Sequence, residues 1–148
     1  MAALEVIAEL IPHQGAMCLL ERVLEWDADH ILLATRSHRA PRNPLRAGGR
    51  LRALHLCEYG AQAMAVHGSL LARTAGARAR PGLLVSVREV VLNREWLEDL
   101  AGELRIEARC LLGSERSSQY AFTVHHGDEL IAAGRAAIIV ARVYSSRA

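Results

Sequence analysis

The stretch LHLCEYGAQAMAVHGSLL, Leu54 to Leu71, decides how the rest of this 148-residue chain is read. It is apolar around most of a helical circumference, interrupted mainly by His55, Glu58, Gln62 and His67. A helix that is apolar on nearly every side is one that is covered on nearly every side. Its alanines and Gly60 let other backbone come close, which suits one helix gripped by a curved sheet. Glu58 is then the anomaly, because a carboxylate buried there unpaired would cost several kcal/mol.

Outward from the helix, the remaining segments read as strands. MCLLERVLEW (17–26) and HILLATR (30–36) are apolar, strand-length segments around the polar turn DADH, and predict an antiparallel pair. After the break TAGARARPG come LLVSVREVVL (83–92) and LRIEARCLL (104–112). In the second, Leu104, Ile106, Ala108 and Cys110 alternate with Arg105, Glu107 and Arg109, the period of two of a sheet with one wet face. The turns GSER and HGDE lead into QYAFTVH (119–125) and LIAAGRAAIIV (130–140), where Gly134 marks a bulge or a close approach. At the start, LEVIAEL places Leu4, Ile7 and Leu10 on one helical face, and Pro12 stops that helix. The order is short helix, two strands, long helix, four strands. It predicts a single α+β domain over residues 1–148, with an antiparallel sheet wrapped around the long helix.

Composition narrows the class. No apolar run approaches the ~20 residues of a membrane span, and the N-terminus has no basic segment ahead of an apolar core, so a soluble cytoplasmic protein is expected. Cys18, Cys57 and Cys110 are odd in number and widely spaced, which predicts small core residues rather than disulfides or a zinc cluster. No HxxxH, HxH or GxSxG is present, so neither a metal site nor a serine hydrolase is indicated. Net charge is only +2, yet every base is an arginine, and Arg36, Arg39, Arg42, Arg46, Arg50 and Arg52 crowd the segment before the helix. That crowding reads either as a solvated loop or as a docking surface for an acidic partner. Few aromatics and no recognition helix argue against nucleic acid.

With these segments in order, the chain resembles the hotdog-fold 3-hydroxyacyl carrier-protein dehydratases, most closely their aryl-polyene-pathway relatives. ELIPHQGAMCLLERVLEW is similar to that family's opening helix, Pro-His turn and first strand, and CEYGAQAMAVHG to its central helix. LVSVREVVL, AGELRIEA and GDELIAAGRAAII are similar to its later strands. The resemblance implies a hotdog fold and an acid/base pair made of a loop histidine and a helix carboxylate, which by position are His38 and Glu58. It also implies substrate contacts at Ala53 and Leu54, where the helix begins, and at Gln62 and His13. Two departures from the family pattern are visible. The loop after His38, HRAPRNPLRAGGRLRA, is longer, and Arg52–Ala53 stand where those enzymes open the helix with Pro-Gly.

Eliminating water from a 3-hydroxyacyl thioester needs a base for the C2 proton, an acid for the departing hydroxyl and donors for the enolate oxygen. Histidine suits the base, since its pKa lies near neutrality. A carboxyl group among apolar neighbours suits the acid, because desolvation disfavours its charged form. Free N–H groups at the helix start would serve the thioester oxygen, and Gln62, one turn beyond Glu58, would orient the carboxyl. His55, three residues before Glu58 on the same helical side, is the alternative acid/base partner. Arg39, Arg42 and Arg46 would dock an acidic acyl carrier protein bearing a phosphopantetheine-linked substrate. No cofactor is implied. Hotdog relatives pair through sheet edges, so a homodimer or a heterodimer with another hotdog subunit is expected. A thioesterase and a non-catalytic partner subunit of a heterodimeric dehydratase are the competing functions.

Overall fold

The structure, a computed structural model, describes residues 7, 9, 10, 17–77, 82–114 and 116–140. Of the expected opening helix, Ile7, Glu9 and Leu10 are helical, with Ile7 and Leu10 in the core. Leu4, Pro12 and His13 lie outside the described residues. The elements that follow are β1 (Arg22–Trp26), β2 (His30–Thr35), α1 (Leu56–Thr74), β3 (Gly82–Leu92), β4 (Leu104–Gly113), β5 (Ser117–His126) and β6 (Glu129–Val140). Single 3-10 turns at Ser37–Arg39 and Ala53–His55 stand in the long connection before α1.

The six strands form one antiparallel sheet in the order β1-β2-β4-β5-β6-β3. Its inner face is set by register. Leu33, Ile106, Val124 and Ala132 are successive cross-strand partners, as are Ile31, Ala108, Phe122 and Gly134. Both rows are buried, as the alternation along β4 and β5 requires.

α1 lies across these rows. Leu56, Tyr59, Gly60, Ala63, Met64, Val66 and His67 are among its buried residues, and none of its residues from Leu56 to Ala72 is fully exposed. The only phenylalanine of the chain sets how close the helix comes. A Cβ on Gly60 would stand 2.7 Å from Phe122 Cγ, and one on Gly134 would stand 2.8 Å from Phe122 Cζ. Neither position tolerates a methyl group without displacing the ring. The Phe122 side chain thus fills space that two glycines, one on the helix and one on the next strand, leave for it. Burial of a ring of this size stabilises by about 1.5–3 kcal/mol.

β3 contrasts with the rest. Among the described residues it pairs only with β6, and all its residues except Val87 are exposed, including Leu83, Leu84, Val85, Val90, Val91 and Leu92. Its register with β6 shifts twice, and within the second shift Glu89 adopts φ 54°, its carboxylate meeting Arg135 at 3.1 Å. Cys18, Cys57 and Cys110 are free thiols, half-buried against the core. Among the described residues no helix is long and apolar enough to cross a membrane.

Candidate active site

Glu58 sits in the first turn of α1 and is half-buried. Gln62, fully buried one turn later, is held by backbone on both sides of its amide. Its Oε1 accepts from the Leu19 N–H at 2.9 Å, and its Nε2 donates to the Met17 carbonyl at 2.7 Å. The second Nε2 hydrogen reaches Glu58 Oε1 at 3.4 Å. A flipped amide would set donor against donor and acceptor against acceptor, so the group facing Glu58 is always a donor. The expected pairing of Gln62 with Glu58 is thereby present, and residues 17–19 fix it.

The long connection before α1 is an ordered structure, which its proline and glycine content did not reveal. Asn43 Nδ2 donates to the Tyr59 hydroxyl and to the Ser37 carbonyl, each at 2.9 Å. Ser37 Oγ lies 2.9 Å from the same hydroxyl and donates to the Leu19 carbonyl at 2.7 Å. Tyr59 is thus a buried post on α1 to which the loop is tied, and burial pushes its phenol up. Further on, Ala47 and Arg50 exchange backbone hydrogen bonds of 2.9 and 3.0 Å around Gly48 and Gly49, at φ 58° and 76°. That is a two-residue hairpin turn of the kind a Gly-Gly dipeptide permits. The Asn-Pro and Gly-Gly dipeptides were the available signals.

His38 is fully buried within its own protomer. Its Nε2 lies 2.8 Å from the Leu100 carbonyl, an acceptor, so Nε2 carries the hydrogen and Nδ1 the lone pair. Among the described residues Nδ1 has no hydrogen-bond partner. Burial pushes this imidazole below its usual range, opposed by the Leu100 bond and assisted by the nearby Arg39, His126 and Arg46. His38 and Glu58 make no direct hydrogen bond, the first being held by Leu100 and the second by Gln62. His55 is half-buried at the start of α1.

At the helix start the structure corrects one expectation. The Ala53 N–H already donates to the Glu95 carbonyl at 2.8 Å and is not free for a thioester oxygen. The N–H of the next residue, Leu54, meets no backbone acceptor among the described residues, and the Leu54 side chain is 57% exposed.

The arginines also separate. Arg46 is turned inward, with Nη1 on the Gly49 carbonyl at 2.8 Å and Nη2 on the His38 carbonyl at 3.0 Å, so it braces the loop. Arg39 and Arg42 are exposed, Arg39 also lying 3.4 Å from the Leu100 carbonyl. Arg50 lies 3.7 Å from the Trp96 ring centroid, with Arg52 over the same ring at 5.0 Å. Trp96 escaped the sequence reading, since a lone tryptophan more than forty positions from those arginines carries no local signal. No group of three or more His, Cys, Asp or Glu side chains placed to hold a metal occurs among the described residues.

In structure the chain is similar to a chain of the dehydratase heterocomplex ApeI:P from Xenorhabdus doucetiae, with a TM-score of 0.84, 20% identity, and coverage of 92% of this chain and 91% of that one. It is also similar to AziG from S. sahachiroi, with a TM-score of 0.61, 15% identity, and coverage of 90% and 99%. A hypothetical thioesterase with coenzyme A from Streptococcus pneumoniae TIGR4 gives a TM-score of 0.60, 12% identity, and coverage of 84% and 88%. At such identities these likenesses speak for the fold, which is the hotdog fold. Comparison with curated proteins gives no match. The profile of the ApeP dehydratases matches residues 5–146, nearly the whole chain, and the protein therefore belongs to the ApeP-like dehydratase family.

Proposed function

We propose that this chain dehydrates a 3-hydroxyacyl group carried on acyl carrier protein, giving a trans-2-enoyl thioester in a fatty-acid-like or aryl polyene pathway. The observation that carries the proposal is the Glu58 carboxyl on the central helix, faced by a Gln62 donor that the backbone of residues 17–19 prevents from flipping. In this reading a histidine takes the C2 proton, and the electron pair moves toward the thioester carbonyl, where the Leu54 N–H at the positive end of the helix stabilises the developing oxyanion. The pair then returns to form the C2–C3 double bond as the C3 hydroxyl leaves with a proton from Glu58, as water.

His38 is the proposed base, because in its neutral form the ring has a lone pair at Nδ1 that no group among the described residues engages. The acting unit is a pair of hotdog chains. The bare apolar edge of β3 supports pairing there, and the heterocomplex nature of the similar Xenorhabdus assembly supports a partner that is a different chain. In a pair of identical chains His38 of one protomer faces Glu58 of the other, and in a pair of different chains each faces the companion's counterpart.

One observation favours a second reading, in which this chain completes the site of another hotdog subunit without reacting itself: the His38 ring is covered within its own protomer. Mass spectrometry of a 3-hydroxyacyl carrier protein decides between them, using this chain with and without a companion dehydratase. In the dehydratase reading the wild type removes water and leaves the thioester intact, while Glu58→Gln and His38→Ala each lose activity by about 100-fold or more, the usual range for an acid or base. A loss on His55→Ala with His38→Ala unaffected would move the base to His55. Glu58→Gln without effect, in a chain that stimulates its companion, would establish the non-catalytic role, and release of free carrier thiol would mean hydrolysis.

A further inference from the structure

One run of hydrogen bonds joins the loop that carries His38 to the helix that carries Glu58, and its donors and acceptors fit together in one way. Asn43 fixes the starting point. Its Oδ1 accepts from the Leu45 N–H at 2.9 Å and its Nδ2 donates to the Ser37 carbonyl at 2.9 Å, so the amide has one orientation, and its second hydrogen goes to the Tyr59 hydroxyl, also at 2.9 Å. Ser37 Oγ lies 2.7 Å from the Leu19 carbonyl, which only accepts, and 2.9 Å from the Tyr59 hydroxyl. Ser37 therefore gives its hydrogen to Leu19 and receives that of Tyr59. Leu19 is the joint. Its carbonyl takes the Ser37 hydrogen, and its N–H donates at 2.9 Å to Gln62, whose amide in turn faces Glu58. The proposed chemistry uses the two ends of this run and not its middle, the fully buried Tyr59.

We infer that Tyr59 is a positioning residue for His38: its hydroxyl holds the residue before the histidine against α1 and so sets where the imidazole stands. Ser37 immediately precedes His38, and the tie grips it twice, at the side chain directly and at the carbonyl through Asn43. The same carbonyl takes the Ala40 N–H at 3.1 Å, while Arg46 Nη2 holds the His38 carbonyl at 3.0 Å and Leu100 meets the ring at 2.8 Å. The backbone on either side of the histidine is thereby pinned. A phenylalanine ring would fill the interior at position 59 as well as a tyrosine ring does. The hydroxyl adds a polar group whose burial is costly unless its bonds are made, so what it contributes is the tie itself. Burial also pushes the phenol up, which keeps it protonated and donating. Tyr59 acts through Ser37 and Asn43, not on substrate.

This inference rests on His38 as the base, but its first measurement does not need turnover. Tyr59→Phe removes the one oxygen and keeps the ring, Ser37→Ala removes the other half of the tie, and Ser37→Thr keeps a hydroxyl. Ser69→Ala deletes a different buried bond of α1, from Ser69 Oγ to the Leu10 carbonyl, and controls for simple loss of stability. Histidine titration is followed by NMR on the full chain with labelled imidazoles. Wild-type His38 is expected to titrate below 6.5, pressed down by burial and by Arg39, His126 and Arg46 against the Leu100 bond. In Tyr59→Phe and Ser37→Ala the loosened loop admits water and the value rises toward 6.5, whereas Ser37→Thr and Ser69→Ala keep the wild-type value. A base works unprotonated, so the acid limb of kcat moves up with it in the first two variants. Their plateau kcat falls about 10- to 100-fold with KM little changed, as displacement of a reacting group by about 1 Å entails. His38 titrating alike in wild type, Tyr59→Phe and Ser37→Ala overturns the positioning role, and so does an equal displacement in Ser69→Ala. If Tyr59→Phe does not fold, the Ser37 pair decides alone. A displaced titration with turnover unchanged would sink His38 as the base and leave the tie standing, whereas a His38→Ala protein that loses activity while Tyr59→Phe leaves the titration unmoved would sink only the tie.

Discussion

His67 shows how a single buried side chain makes this fold sensitive to acid. It lies on α1 against the sheet, with Nδ1 2.7 Å from the Tyr120 hydroxyl and Nε2 2.8 Å from the Asp27 carbonyl. Since a carbonyl only accepts, Nε2 bears the hydrogen, and in the neutral ring Nδ1 accepts from the Tyr120 hydroxyl. Burial pushes His67 below its usual 6.5, against the pull of Asp27 and Asp29 and with the push of His30; burial does the same to His38. The unfolded chain therefore binds these two protons more readily than the folded one. Their contribution to stability is complete above pH 6.5 and is lost as pH falls through the depressed folded values. Surface His30 has the opposite sign, its value being raised by Asp27 and Glu25, so its contribution is lost only as pH rises through the folded value. Urea midpoints are expected to fall on going from about pH 7.5 to about pH 5.5, and the fall to shrink in His67→Gln, which keeps a donor and an acceptor but does not titrate. An identical slope in His67→Gln and in His38→Gln would contradict this account.

At the scale of elements, the junction of helix and sheet turns on Phe122 between Gly60 and Gly134. Gly60 in a helix interior is locally unfavourable by about 0.5–1 kcal/mol relative to alanine, so propensity alone favours Gly60→Ala. Tertiary contact reverses that sign, because the added methyl would stand 2.7 Å from the ring. Gly60→Ala is expected to destabilise by about 1–3 kcal/mol, and Phe122→Leu, which removes the ring, to make the same substitution much less costly. Chemical denaturation of the four proteins of this cycle measures the coupling, and additive effects would show that the ring does not set the approach. Close approach at both glycines was foreseeable from their place in the pattern. The ring that demands it was not, since Phe122 lies 62 positions from Gly60 and only the packing of the helix on the sheet brings them together.

At the scale of the molecule, the unfinished feature is β3. Among the described residues it ends the sheet, with 11 residues whose backbone pairs on one side only and whose apolar side chains are mostly bare. A long apolar edge of this kind is a template for another strand. Leu84→Arg combined with Val91→Arg is expected to halve the mass seen by sedimentation, or to abolish capture of a companion hotdog chain, while leaving the circular dichroism of the protomer unchanged. Association that survives both charges would place the interface elsewhere.

The sequence by itself determined the architecture: alternation along β4 and β5, the all-round apolar helix and the tight turns each express a local periodicity that burial of one face imposes. It also marked Glu58 as a carboxyl out of keeping with its neighbours, with Gln62 one turn away. Only the tertiary structure decided which groups are already engaged. The Ala53 N–H is taken by Glu95, Arg46 by its own loop and the Tyr59 hydroxyl by Asn43, while Trp96 comes to lie beneath Arg50 and Arg52. The physical reason is that periodicity reports which face of an element is buried, whereas a hydrogen bond or a stacked ring depends on a partner whose distance along the chain leaves no trace in the local pattern.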